Sequence, residues 1–87
     1  MMDTRIEATK NIRTRQDFIV FLNELLLEYR ANGPEWENNN LENFLSALAD
    51  CAEGIDGFYA NTQPQMNAEE ASWKIFADIL MSARIYE

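Results

Sequence analysis

The sequence predicts an all-α fold, a small antiparallel bundle of three to four helices with a central, nearly all-round apolar C-terminal helix. Three segments carry apolar residues at helical spacing, and helix-capping residues precede each of them. The 87 residues correspond to one domain, and a hydrophobic content of 47% suffices for a packed core. We expect residues 1–13 to form a weakly structured segment and residues 14–87 a single helical domain.

The first helix is predicted over residues 15–32. Thr14 and Asp17 have the spacing of a capping box. Apolar residues at i, i+3, i+4 spacing follow, namely Phe18, Phe21, Leu22, Leu25, Leu26 and Tyr29. Gly33 can take the left-handed conformation that ends a helix, and Pro34 cannot continue one.

The second helix is predicted over residues 40–53, with Asn39 and Glu42 as a cap pair and Gly54 at its end. Its buried stripe is expected to comprise Leu41, Phe44, Leu45, Leu48 and Cys51 or Ala52. A separate short helical turn near residues 56–60 is expected next, because Asp56-Gly57 is a turn signal.

The third helix is predicted over residues 68–86, with Asn67 and Glu70 at its capping positions. Its apolar residues leave only a narrow polar stripe, formed by Lys74, Asp78 and Ser82 and broadened near the end by Arg84. A helix that is apolar over most of its circumference is buried on several sides. We therefore expect this helix to lie centrally, or to offer one face to a partner or a second copy.

The charge is strongly acidic, with fifteen acidic and seven basic residues and a net charge of −8. Residues 1–15 carry +2 and residues 16–87 carry −10. Such a body repels nucleic acid and anionic membranes and attracts basic proteins. No secretory or transmembrane segment is apparent, and the single Cys51 cannot form an internal disulfide, so we expect a cytoplasmic protein.

The residues that catalysis usually needs are missing. There is no histidine, the three glycines are far apart, and one cysteine cannot build a zinc site. We therefore expect no enzyme activity and predict no catalytic, cofactor-binding or metal-binding residue. Cys51 lies near the apolar face of the second helix, where a small buried hydrophobe is a simpler interpretation than a reactive thiol.

Acidic and aromatic residues are the candidates for partner binding. Glu42, Asp50 and Glu53 share one face of the second helix with Ser46, and Asp56 follows them; Asp17, Glu24 and Glu28 form a similar row on the first helix. An ordinary solvated face is the simpler interpretation of either row, and a docking surface for a basic partner is the sharper one. The aromatic candidates are Trp36 and Tyr59. Burial in the core is the simpler interpretation of Trp36, as of Trp73, with an interface contact as the alternative, and the same two interpretations are open for Tyr59.

Several motifs resemble a family of small acidic bacterial proteins catalogued only as a domain of unknown function. These motifs are Trp36-Glu-Asn38, Leu41-Glu-Asn-Phe-Leu45, Asp56-Gly-Phe-Tyr59, Ser72-Trp-Lys-Ile-Phe-Ala-Asp-Ile-Leu80 and Ala83-Arg-Ile-Tyr-Glu87. The resemblance covers about residues 18–87 and implies a helical bacterial protein, similar to the small single-domain partners found beside toxins.

Three functions compete at this point. The first is an immunity-type inhibitor that binds a basic partner such as a bacterial toxin (nuclease) domain, favoured by acidity, small size and the missing catalytic residues. The second is a self-associating structural or adaptor module that forms a homodimer through the C-terminal helix. The third, a small-ligand sensor, has no positive feature in the sequence.

Overall fold

The computed structural model describes residues 8–85, which form three α-helices with no β-strand among them. The helices are α1 at Arg15–Asn32, α2 at Leu41–Thr62 and α3 at Trp73–Ala83, and a 3-10 turn follows α1 at Gly33–Glu35. The predicted all-α class is confirmed. Within residues 8–85, no helix combines the length and apolarity needed to cross a bilayer. Residues 1–7 and the predicted helix end at residue 86 lie outside the described range.

The start of α1 is the capping box that the sequence predicts. The side-chain oxygen of Thr14 accepts a hydrogen bond from the backbone N–H of Asp17 at 3.1 Å. The Asp17 carboxylate in turn accepts from the backbone N–H of Arg13 at 3.0 Å and of Thr14 at 3.2 Å. These bonds, that from Arg13 foremost, lower the pKa of Asp17 because they favour its charged form. The predicted range of the first helix is confirmed.

The end of α1 differs from the prediction in its backbone conformation. Gly33 is right-handed, with φ −49° and ψ −44°, and the chain continues into the 3-10 turn that contains Pro34. The space beside Gly33 explains why a small residue stands there. A Cβ atom on Gly33 would lie 3.0 Å from Cε1 of the Tyr29 ring, so the ring packs where a side chain would otherwise be.

The second helix is longer than predicted, because Gly54 does not end it and residues 56–60 are part of it. Burial supplies the physical reason. Ala47, Cys51, Ile55 and Tyr59 follow one another at intervals of four and are all buried. Packing of this face offsets the cost of about 1 kcal/mol that a glycine imposes in a helix. The predicted end at residue 53 is therefore wrong.

The caps of α2 and α3 also lie elsewhere than predicted. Asn40, and not Asn39, caps α2 by accepting from the Asn43 N–H at 2.8 Å. Residues 67–70 form a separate turn closed by the Glu70 N–H on the Asn67 carbonyl, and Ser72 caps α3. The predicted start of the third helix at residue 68 is thus wrong by about one turn.

α3 packs against both other helices and lies between two apolar clusters. One cluster joins α3 to α1 and the N-terminal segment through Ile12, Phe21 and Ala77. The other joins α3 to α2 through Ile55, Tyr59 and Ile75. Every residue of α3 except Phe76 is buried or half-buried, so its apolar surface is used mainly within the chain.

The polar stripe of α3 faces inward. Asp78 is 1% exposed, and its carboxylate accepts hydrogen bonds from the hydroxyls of Thr9 and Tyr59 and from the Lys74 ammonium. The Tyr59 and Lys74 bonds measure 2.5 Å and 2.8 Å, and the Lys74 nitrogen also lies 5.4 Å from the centre of the Tyr59 ring. We call these four residues the Asp78 cluster. It joins the N-terminal segment, α2 and α3 at one buried charge.

Burial and the Asp78 carboxylate both act on Tyr59. Burial contributes most, and the carboxylate adds to it because it accepts a hydrogen bond from the neutral phenol and repels the phenolate. The pKa of Tyr59 is therefore raised far above its usual value of 10.0. The folded protein keeps this hydroxyl protonated at a pH where an unfolded tyrosine ionises.

We predict that Asp78→Asn lowers the free energy of unfolding by about 2–4 kcal/mol, because it removes the charge that Lys74 faces and one of the two oxygen acceptors. Urea unfolding followed by circular dichroism measures this loss. Asp50→Asn is the matched control: it makes the same change at an exposed site and should alter stability by less than about 0.5 kcal/mol. Equal effects of the two substitutions would contradict the role given to the Asp78 cluster.

Tyr59→Phe should cost about 1–2 kcal/mol at pH 8, because Asp78 loses one donor. Above about pH 10 the unfolded wild type loses a phenolic proton that the folded state keeps, so wild-type stability falls as the pH rises. The Phe variant has no phenolic proton at position 59, so its stability does not fall with pH for this reason. The difference in unfolding free energy between the two proteins should therefore shrink by about 1 kcal/mol at pH 11. A difference independent of pH would contradict the raised pKa of Tyr59.

Replacing Gly54 or Gly57 by alanine should stabilise the protein by about 0.5–1 kcal/mol each, because both lie inside α2 and their added methyl groups meet no atom within 4 Å. Thermal unfolding measures the effect. Gly33→Ala is the contrasting variant, since its methyl group would press on the Tyr29 ring, and it should give no gain. Destabilisation by alanine at position 54 or 57 would mean that α2 is interrupted there.

Candidate functional site

Four carboxylates form what we call the acidic face of α2, namely Glu42, Asp50, Glu53 and Asp56. All four are exposed, and none forms an ion pair within the described part of the chain. Their spacing places them along one side of the helix over about 21 Å. α2 contains no lysine or arginine, so no basic residue of the same helix compensates this charge.

The acidic row predicted on α1 is largely occupied by contacts within the chain. The Asp17 carboxylate is part of the capping box. Glu28 accepts a hydrogen bond from Arg84 at 2.6 Å and forms an ion pair with it. Only Glu24 of the predicted row has neither role. The acidic face of α2 is therefore the better candidate for contact with a basic partner.

The two aromatic candidates lie in different places. Tyr59 belongs to the Asp78 cluster and is 1% exposed, so its side chain is not presented to a partner. Trp36 is 9% exposed and packs between other rings: its centroid lies 5.0 Å from that of Tyr29 and 6.1 Å from that of Phe44. Arg84 places its guanidinium carbon 5.9 Å from the centre of the Trp36 ring.

A groove opens beside Trp36, between the end of α1 and the start of α2. We call it the aromatic groove; its volume is about 240 Å³, and it is lined by Tyr29, Trp36, Leu41, Phe44 and the asparagines at 38–40. Asn38 ties the groove to α3 by donating to the carbonyls of Ala83 and Arg84, at 2.9 Å and 3.0 Å. The residues that line the groove are thus held in place by α1, α2 and the end of α3.

Helical periodicity did not indicate this groove. It predicted Leu41 and Leu45 in the buried stripe of the second helix, yet their exposed fractions are 74% and 52%. The prediction was wrong because the apolar run at the start of α2 is wider than the face that α3 covers. The sequence did contain one signal of the groove. Leu41 directly follows the capping Asn40 and does not lie on the buried face of α2 that Ala47 and Cys51 mark.

Other surfaces are less suited to a defined function. A cavity of about 470 Å³ lies beside Arg13, Glu70 and Lys74, but Lys74 is already paired with Asp78. The carboxylate of Asp78 is closed off by its donors and by burial, which leaves no room for a substrate. Among residues 8–85, no three acidic or cysteine side chains come together as metal ligands would. Cys51, the remaining nucleophile of interest, is buried.

The exposed apolar residues lie mostly on α1 and not on the C-terminal helix. Phe76 is the one residue of α3 classed as exposed, at 42%. α1 instead exposes five large hydrophobic residues to a substantial degree: Val20, Leu22, Leu26, Leu27 and Tyr29. Any contact between two copies would therefore draw on α1 more than on α3.

Comparison with known proteins gives a family but no activity. No curated protein and no solved structure shows significant similarity to the chain. Residues 14–87 match DUF7660, a family of unknown function, which agrees with the resemblance to a family without known activity. This match covers α1, α2 and α3 and thus both the acidic face and the aromatic groove. The chain belongs to the family of unknown function DUF7660.

Proposed function

We propose that this protein binds a protein partner with a basic surface and inhibits it, in the manner of an immunity protein that neutralises a toxin domain such as a nuclease. The acidic face of α2 carries the proposal. A bacterial and cytoplasmic setting belongs to the same proposal, because a neutralising protein acts where its toxin would otherwise act. No enzyme activity is proposed.

The acidic face is suited to steer a basic partner. Its carboxylates lie on one rigid helix, so their fields add on one side of the molecule. At physiological salt the field reaches about 8 Å beyond the surface, which accelerates encounter with a complementary charge. The small residues Ser46 and Ala49 lie between the carboxylates on this face, and Gly57 directly follows the last of them, so a partner can approach the helix closely.

Self-association is the second candidate, and the exposed apolar residues of α1 favour it. Leu22, Leu26 and Leu27 are 39%, 45% and 61% exposed, and apolar side chains grouped on one helix surface are typical of an interaction site. The net charge of −8 opposes self-association, because two copies repel one another at low salt. Analytical ultracentrifugation distinguishes the candidates, since a dimer held by α1 would persist and strengthen at high salt.

We predict that Asp50→Lys together with Glu53→Lys lowers capture of the basic partner roughly tenfold. The double variant, the wild type and a control with Glu24→Lys and Glu69→Lys would serve as baits in the source organism's lysate. Both double variants change the net charge equally, but the control charges lie outside the acidic face. We expect one basic protein to be enriched by the wild type and the control, and to fall roughly tenfold with the α2 variant.

Salt and activity complete this test. Raising the salt from about 50 mM to about 500 mM shortens the screening length from roughly 14 Å to roughly 4 Å, so association should slow. Stoichiometric addition of wild-type protein should then suppress the activity of the captured enzyme. Equal capture by all three baits, or an unaffected enzyme, would contradict the proposed inhibition through the acidic face.

A further inference from the structure

The aromatic groove is formed before any partner arrives. Trp36 contacts Tyr29 and Phe44 through its ring and lies under Arg84. The Tyr29 hydroxyl donates to the Asn39 carbonyl at 3.1 Å, which fixes the side of the groove that α1 supplies. A partner side chain would enter without the entropic cost of ordering these rings.

The size of the groove indicates the size of its occupant. About 240 Å³ lies below the volume of typical small-molecule pockets, which begin near 300 Å³. One large side chain fills such a space. The lining is mainly aromatic and aliphatic, so an apolar side chain gains the most from burial there.

Leu41 marks the groove as an unfilled surface. It is 74% exposed, more than any other large hydrophobic residue in the described range, and Leu45 follows one turn later at 52%. The fold gains little from an apolar residue at this position, because most of its surface stays in water. A partner that covered Leu41 would bury apolar surface that the folded chain leaves in water.

The charge around the groove decides what kind of chain supplies the occupant. Residues 28–42 contain four acids and one base, which is Arg30. One of the acids, Glu28, is paired at 2.6 Å with Arg84, which directly follows α3, so Glu35, Glu37 and Glu42 remain against Arg30. A second copy of this chain carries the same net charge of −8 and is repelled. A basic segment is complementary.

We propose that the aromatic groove binds one large apolar side chain, phenylalanine or leucine, of a partner segment in which lysine or arginine flanks that residue. This inference rests on the proposed function and specifies its anchor: the groove lies at the first turn of α2, where the acidic face begins with Glu42. The apolar anchor supplies most of the binding energy, and the surrounding charges supply orientation and rate.

The test is a nuclear magnetic resonance titration of the ¹⁵N-labelled full chain with three synthetic peptides. They are Lys-Lys-Phe-Lys-Lys, Lys-Lys-Ala-Lys-Lys and Glu-Glu-Phe-Glu-Glu. The basic phenylalanine peptide should shift the backbone amides of residues 36–44. The alanine peptide should shift only amides of the acidic face around residues 50–56, and the acidic peptide should shift neither set.

Leu41→Ala is the decisive variant, because an exposed side chain can be truncated without loss of the fold. It should weaken binding of the basic phenylalanine peptide roughly fivefold to tenfold, and should leave binding of the alanine peptide unchanged. Leu27→Ala is the matched control: Leu27 is 61% exposed on α1, outside the groove, and its truncation should change neither peptide.

Each contrary result overturns a distinct claim. Equal binding of the two basic peptides, or no binding of any peptide at millimolar concentration, would overturn the groove as an anchor site. Equal binding of the basic and acidic phenylalanine peptides would overturn the requirement for flanking basic residues. The proposed function fails separately, if charge reversal at Asp50 and Glu53 leaves capture of the basic partner intact.

Discussion

The buried carboxylate of Asp78 constrains the arrangement of the whole chain. A carboxylate removed from water costs several kcal/mol unless donors replace the water that it loses. Here the donors come from three separate parts: Thr9 in the N-terminal segment, Tyr59 in α2 and Lys74 in α3. Rotation or slippage of α3 would separate this carboxylate from the hydroxyls of Thr9 and Tyr59 and leave it only Lys74 of the same helix. One residue therefore excludes many otherwise acceptable packings of a small apolar core.

The same constraint shapes the surface. Tyr59 lies in the last turn of α2, so the helix must continue through Gly54 and Gly57 for its hydroxyl to reach Asp78. A helix that ended at Gly54 would leave Asp56 beyond its end. Because α2 continues, Glu42 and Asp56 share one straight face. The buried hydrogen bond between Tyr59 and Asp78 and the exposed carboxylates of the acidic face therefore depend on the same continuous helix, α2.

Local signals in the sequence predicted local structure. The capping box at Thr14 and Asp17 and the range of α1 depend on neighbouring residues, and both are confirmed. Periodicity also identified a polar stripe with Lys74 and Asp78 on the third helix. It could not tell which side of that helix faces inward, because the spacing is the same for a solvated stripe and for a buried one. The direction is decided by Thr9 and Tyr59, which are distant in sequence.

The site was predictable to the same limited extent. The acidic residues of α2 were visible as a row, since helical spacing alone places them on one side. The aromatic groove was not, because Trp36 contacts Tyr29 across a turn and Arg84 just beyond the end of α3. The end of α2 was misjudged because glycine is a local signal, whereas the burial of Ile55 and Tyr59 that overrides it is a tertiary one.

The acidic residues divide into those that the fold uses and those that it does not. Asp17 accepts from two backbone N–H groups at the start of α1, Glu28 pairs with Arg84, and Asp78 joins three segments, so each carboxylate is matched by a donor. Asp50 and Glu53 have no such donor in the described structure. Like charges on one helix repel one another and oppose folding slightly, so folding does not account for this concentration. The proposed basic partner would account for it, and the open groove at the start of the same helix would supply the apolar contact that charge alone lacks.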